Sequence, residues 1–192
     1  MNLFKKSSRI YNEALFAETG LYVLDPVHSF ANFTAQHLMV GQVRGIFTDI
    51  DGALMIAEDP LQSTLEFNIR AASINTNHKC RDADLRSERF FNVEKFPELT
   101  YKSTRFVPEL GGKWTIEGNM TILANMHPVN YSVTISGVVQ DPWGNTRVAL
   151  QGKAKVNRKD FGLLTDLTHE TGGIQIGNDV YCDFAGEFIL KK

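Results

Sequence analysis

Cysteine is scarce in this 192-residue chain: only Cys80 and Cys182 occur, far apart and without a second cysteine nearby to make a metal-binding or redox pair. A disulfide framework is not expected, and two isolated free thiols favour a reducing compartment. Excess charge is missing as well. Twenty basic residues balance 22 acidic ones, leaving a formal charge of -2 and no electrostatic footprint for nucleic acid or an anionic membrane. No apolar run is long enough to span a bilayer as a helix. The Lys5, Lys6 and Arg9 cluster is not followed by the apolar stretch a secretory signal needs, so the expected location is cytoplasmic. Repeats, linkers and low-complexity tracts are also absent.

What remains has the composition of one folded domain, with 43% hydrophobic and 22% charged residues, which argues against disorder. Thirteen phenylalanines stand out, because such rings line a cavity as readily as they fill a core. The first twenty residues read as an N-terminal extension (1–20) ahead of a main domain (21–192). Leu3, Phe4, Ile10, Leu15 and Phe16 fall loosely at helical spacing, which predicts a short amphipathic helix against that domain.

Elsewhere the period is two. Leu65-Glu66-Phe67-Asn68-Ile69-Arg70-Ala71 alternates apolar and polar without a break, as a strand with one wet face requires. Trp114, Ile116, Gly118, Met120 and Ile122 repeat the pattern after a Gly111-Gly112 turn, and Val129, Tyr131, Val133 and Ile135 follow. Asp141 to Asn145 supplies turn chemistry before a strand carrying Val148, Leu150, Gly152, Ala154 and Val156 on one face. Val180, Cys182, Phe184, Gly186, Phe188 and Leu190 close the chain the same way. Leu21 to Leu24, Ser29 to Met39, Val43 to Ile56 and Leu99 to Phe106 read as less regular strands.

Two segments break the series. Asn77 to Phe96 has helical spacing and ends at Pro97, and Arg158 to His169 is a second candidate for helical turns. Many successive antiparallel strands, each wet on one side, hide the other side and lose their edges by closing into a barrel. The expected fold is all-β, an antiparallel barrel of about eight strands with short helical inserts, with a two-sheet sandwich as its competitor. At that size the interior is either just filled by side chains or just wide enough for a slender ligand, and pattern alone leaves the choice open.

Catalytic chemistry finds little support. His28, His37, His78, His127 and His169 form no close-spaced zinc motif, and Ser29 lies in no Gly-x-Ser-x-Gly elbow. The mixed charges from Arg81 to Arg89 fit surface ion pairs, with Arg81 or Arg86 the residues able to meet a ligand head group. No catalytic residue, metal ligand or cofactor is expected.

The series Tyr22 through Asp25, His28, Ser29, Phe33, His37, Val40, Gly41, Val43, Gly45 and Phe47 resembles the opening of YceI-like proteins. Ser73, Ile74, Thr76, Arg81, Asp82, Leu85, Arg86, Phe90, Phe91, Pro97, Ser103 and Thr104 resemble that family's central segment in the same order. Gly118 to Ile122, Pro128-Val129, and Arg158, Asp160, Phe161 and Gly162 extend the likeness. Ala124-Asn125-Met126-His127 departs from the family's glycine-containing turn.

The resemblance implies a bacterial lipocalin-like barrel holding a long-chain apolar lipid of the polyisoprenoid, quinone or fatty amide class, although many relatives are periplasmic. The lining expected from the inward alternation is Phe33, Leu65, Phe67, Ile69, Trp114, Ile116, Met120, Tyr131, Val133, Ile135, Leu150 and Phe184. The expected partner is the lipid, with no nucleic acid and no membrane span, and a homodimer is compatible with this. Two other readings stay open. One is an enzyme acting on a lipid-like substrate with His28, His37 or His78 as base, and the other is a stress-response interaction module with a filled core.

Overall fold

The computed structural model describes residues 8–38, 40–165 and 176–192. It opens with a hairpin of β1 (Ser8–Tyr11) and β2 (Ala14–Ala17), turned at Asn12 and Glu13, both at positive φ. The helix expected over the first twenty residues is therefore replaced by strands from Ser8 onward, while Leu3 and Phe4 lie outside the described residues. Burial explains the difference. Ala14 and Phe16 alternate onto the core while Ile10 is 68% exposed, so its helical spacing relative to Leu15 and Phe16 is coincidental. Arg9 fixes the hairpin by donating to the carbonyls of Ala17, Ala57 and Glu58.

Eleven strands follow: β3 (Gly20–Leu24), β4 (Phe30–His37), β5 (Gly41–Phe47), β6 (Ile50–Ile56), β7 (Thr64–Arg70), β8 (Ile74–Asn75), β9 (Glu98–Glu109), β10 (Lys113–Ile122), β11 (Asn125–Gln140), β12 (Thr146–Asn157) and β13 (Ile176–Leu190). One helix, α1 (Lys79–Arg86), interrupts them between β8 and β9. All pairings are antiparallel, and the ring β3-β6-β7-β9-β10-β11-β12-β13 closes where β13 meets β3. The expected eight-stranded barrel is present.

Three staves of this barrel are broken, and the breaks shape its open end. β3 yields to β4 at a short 3₁₀ turn over Pro26–His28, capped by the Asp25 carboxylate on the Val27 N–H (3.1 Å). Val43 to Ile56, expected as one strand segment, splits into β5 and β6 at Thr48-Asp49. β7 likewise gives way to β8 through Ala71–Ser73. The upper halves continue as β13-β4-β5-β8, and β8 makes no pairing with β9. The segment carrying α1 connects β8 to β9 and packs against β8. Residues Arg158 to Gly162 form turns, with no helix among the described residues of the second expected helical segment.

Inward residues follow the alternation read from the sequence. Trp114, Ile116, Met120 and Ile122 of β10 are buried, as are Val129, Tyr131, Val133 and Ile135 of β11. The hairpin closes the other end, where the Trp114 ring meets Phe16 (5.0 Å between centroids), Tyr11 (5.9 Å) and Phe106 (6.3 Å). The turn joining β10 to β11 places Leu123 and Ala124 at φ of 52° and 63°. A two-residue hairpin needs that left-handed conformation, and here it is met without glycine.

A cation ties the outside together. Arg147, 16% exposed in its side chain, donates to Asp25 (2.7 Å), Asp141 (2.9 Å) and Glu187 (3.2 Å). The Arg147 bond holds the Asp25 carboxyl at about 2, against the opposing effect of its burial and with help from His28. Burial would raise Asp141, yet the Asn145 N–H and Arg147 outweigh it and hold that carboxyl at about 2 too. Both groups sit below their ordinary value of 3.8, so their stabilisation is complete above it and lost as pH falls toward 2. Melting temperatures of the wild type and Arg147→Met should differ most near neutral pH and converge toward about pH 2. A difference independent of pH would contradict the network's role.

Candidate functional site

A second group of large rings, apart from those around Trp114, gathers at one level of the barrel. Phe67 stacks on Tyr101 (5.0 Å) and on Phe184 (5.7 Å), and Tyr131 meets Tyr101 edge-on at 5.1 Å. Two glycines make room for them. A Cβ on Gly118 would lie 2.5 Å from the Tyr101 ring, and one on Gly152 would lie 2.7 Å from Phe184. The Tyr101 hydroxyl donates to the Ile116 carbonyl at 2.9 Å, which satisfies its polar atom inside the core.

Above this aromatic floor lies an apolar cavity of about 140 Å³. Phe33, Phe67, Ile69, Met120, Tyr131 and Phe184 line it, six of the twelve residues expected from alternation. Leu65, Trp114, Ile116, Val133, Ile135 and Leu150 do not. They are buried below the floor, toward the end plugged by the hairpin. Residues outside the expected set complete the wall, including Phe47, Leu85, Phe90, Phe91, Ile122, Val156, Phe161 and Cys182. Ile122, Val156 and Cys182 were visible on the inward alternation, and Leu85 and Phe90 in the helical spacing. Phe91 and Phe161 carried no periodic signal.

The cavity adjoins a mouth chamber of about 380 Å³ between α1 and the β4–β5 pair. Phe33, Ala35, Leu85, Phe90 and Ile176 belong to both. Gln36, His37, Cys80, Arg81 and Asp84 give the chamber a polar side. A third recess, about 620 Å³, lies on the opposite face of β4 among Asn32, Thr34, Arg44, Asn75 and Asp183 and is open to solvent. It is larger but lacks the apolar enclosure of the barrel interior.

α1 is held to the barrel by buried polar contacts. Asp82 accepts from the Thr76 N–H (2.8 Å) and from the Thr76 hydroxyl (2.5 Å). Burial works against its charge, but the Thr76 bonds, with Arg86 and Arg81 nearby, keep the carboxyl below its ordinary value. Arg81 donates Nε to the Thr76 hydroxyl oxygen and Nη2 to its carbonyl, and Arg86 donates to the carbonyls of Ala72 and Ile74. The surface ion-pair reading of this segment thus describes Arg89–Asp84 (3.1 Å), whereas Arg81, Asp82 and Arg86 turn back onto β8 and its flanks.

The other polar candidates have structural partners. His28 Nδ1 lies 2.9 Å from Asp25, Ser29 accepts from the Glu187 N–H, and His78 caps α1 by accepting from the Arg81 N–H. His127 packs edge-on against Phe161, and His169 lies outside the described residues. Ligand atoms of Asp25, His28 and Glu187 lie within 4.8 Å of one another, but Arg147 already occupies both carboxylates.

Both cysteines are free. Cys80 is exposed, while Cys182 faces the cavity and burial pushes its thiol up to about 12. The thiolate is the reactive form, so a maleimide at neutral pH should label Cys80 and spare Cys182 until the barrel unfolds. Mass spectrometry of the labelled native protein reads this directly, and equal labelling of both thiols would contradict the burial of Cys182.

Comparison with known proteins places this geometry. The YceI-like domain family matches residues 22–188. Protein YceI of Salmonella newport is 38% identical over 141 residues, covering 73% of each chain, and its Salmonella arizonae counterpart matches equally. Among solved structures, Burkholderia cenocepacia BcnA superposes with a TM-score of 0.73 at 19% identity, covering 85% of this chain and 98% of that one. The Campylobacter jejuni YCEI protein gives 0.69 at 23% identity over 82% and 90% of the two chains. A polyisoprenoid binding domain from Saccharophagus degradans, implicated in plant cell wall breakdown, gives 0.68 at 14% identity over 91% and 100%.

Proposed function

The chain belongs to the YceI-like domain family, and from that premise we propose that it binds a long-chain apolar lipid noncovalently inside the barrel. The observation that carries this reading is the apolar cavity above the aromatic floor, which shares five wall residues with a larger chamber beside α1. The polyisoprenoid-binding description of the Saccharophagus degradans domain, which shares the fold, supports the ligand class. Polyisoprenoids, quinones and fatty amides all offer the slender tail such an interior accepts.

Burial of the tail supplies the affinity. Apolar area removed from water contributes roughly 25 cal/mol per Å² before ordering costs, and no charged anchor is required along the tunnel. The inner cavity is below the roughly 300–1,000 Å³ common for ligand sites. A long chain therefore needs rings at the entrance to turn aside. Phe33, which lines both the chamber and the cavity, contacts Phe47 (5.7 Å), which contacts Phe91 (5.9 Å), so a turn of Phe33 is coupled to rings of the inner wall.

Binding without turnover is the accompanying proposal. It is supported by the structural partners of His28, His78 and His127 and by the lack, among the described residues, of a nucleophile held beside a free base. No helix among the described residues is long and apolar enough to cross a membrane. The free thiols support a reducing, cytoplasmic setting for the role.

Ala35 lines both the cavity and the mouth chamber, so Ala35→Trp places an indole in the passage without removing a core side chain. Titration with a fluorescent long-chain isoprenoid should give saturable uptake by the wild type and none by this variant, with both showing the same β-type circular dichroism. Undiminished uptake by folded Ala35→Trp would reject the barrel interior as the site.

A further inference from the structure

We propose that the mouth chamber is a head-group subsite, in which Arg81 donates hydrogen bonds to an acceptor oxygen on the lipid, of a carbonyl or a phosphate. The inference rests on the lipid-binding reading and adds the chemistry of the end that stays outside.

Two arginines line the linked cavities, and a count of donors separates them. A guanidinium has five N–H groups. Arg158, buried in the inner wall, donates among the described residues to the carbonyls of Leu163, Thr165, Ile176 and Gly177 and to the Asn178 side chain. Its donors are spent on holding the chain around β13. Arg81 uses only Nε and Nη2, both on Thr76, and its Nη1 has no partner among the described residues. The cation that is saturated sits deep, and the one with donors to spare sits at the mouth.

Arg81 is also oriented in advance. The Thr76 hydroxyl donates its hydrogen bond to Asp82, which leaves that oxygen to accept from Arg81 Nε at 2.7 Å. A guanidinium whose plane is already fixed loses less freedom when it binds another acceptor. The surrounding charge favours the same partner. Asp84 is the one carboxylate among the described residues of the chamber, and Arg89 offsets it at 3.1 Å. His37 adds a further polar side chain facing the same space.

Size agrees with this orientation. The chamber, at about 380 Å³, is wider than the inner cavity at about 140 Å³, which suits a broad head outside a slender tail. Phe33 and Leu85 stand at the junction, where the character of the wall changes from polar to apolar.

The test is equilibrium binding of three probes sharing one isoprenoid tail: a benzoquinone-headed chain, a prenyl phosphate and the headless hydrocarbon. The wild type should prefer the headed chains. Arg81→Met should weaken them about tenfold or more and leave the hydrocarbon unchanged, with Arg81→Lys restoring part of the loss. A larger loss for the phosphate identifies an anionic head, and a larger loss for the quinone identifies a neutral carbonyl. Equal weakening of all three probes by Arg81→Met would show that Arg81 acts only through Thr76 on the fold. That result, or equal affinity of headed and headless probes for the wild type, overturns the subsite while lipid binding stands. Failure of the wild type to take up any probe overturns the lipid-binding reading, and the subsite with it.

Discussion

The pairing of β12 with β13 is the constraint on which the rest depends. It runs from Arg147 opposite Ile189 to Asn157 opposite Asp179 and turns a curled sheet into a ring. A ring leaves no free edge along its closed part, so the backbone is satisfied without a second layer. It also creates an interior that side chains fill or leave open. This chain does both. The hairpin and its contacts with Trp114 fill the lower half, and the broken staves together with α1 leave the upper half enterable.

Aromatic packing sets the boundary between the halves. Phe67, Tyr101, Tyr131 and Phe184 form a layer that fits because Gly118 and Gly152 carry no side chains beneath the rings. Large rings beside residues without a Cβ fill a tapering interior at high density, which small aliphatic side chains would not achieve at this width. The same layer ends the cavity. Above it, fixation of the rim passes from packing to hydrogen bonds, through Asp82 and Thr76 on one side and Arg158 on the other.

The sequence made the barrel legible through its period of two. Leu65 to Ala71, Trp114 to Ile122 and Val129 to Ile135 each show which side of the sheet a residue faces. They do not show its height along the barrel. Leu65 and Phe67 share a face and a strand, yet only Phe67 reaches the cavity; Ile116 and Met120 divide in the same way. Height depends on which strands pair and in what register, which is non-local information. The hairpin was missed because Ile10, Leu15 and Phe16 also satisfy a helical spacing. Asp82 was unreadable for a related reason: in a run of mixed charges, burial of one member depends on Thr76, which is brought beneath it by the strand before α1.

The central claim is that the upper half of this barrel houses a lipid tail, and native mass spectrometry of freshly purified protein tests it most directly when followed by solvent extraction of whatever leaves. The account predicts a stoichiometric adduct that extracts as a long-chain apolar lipid. A bare protein mass, together with failure to take up quinones, polyprenyl lipids or fatty amides added in solution, would contradict it.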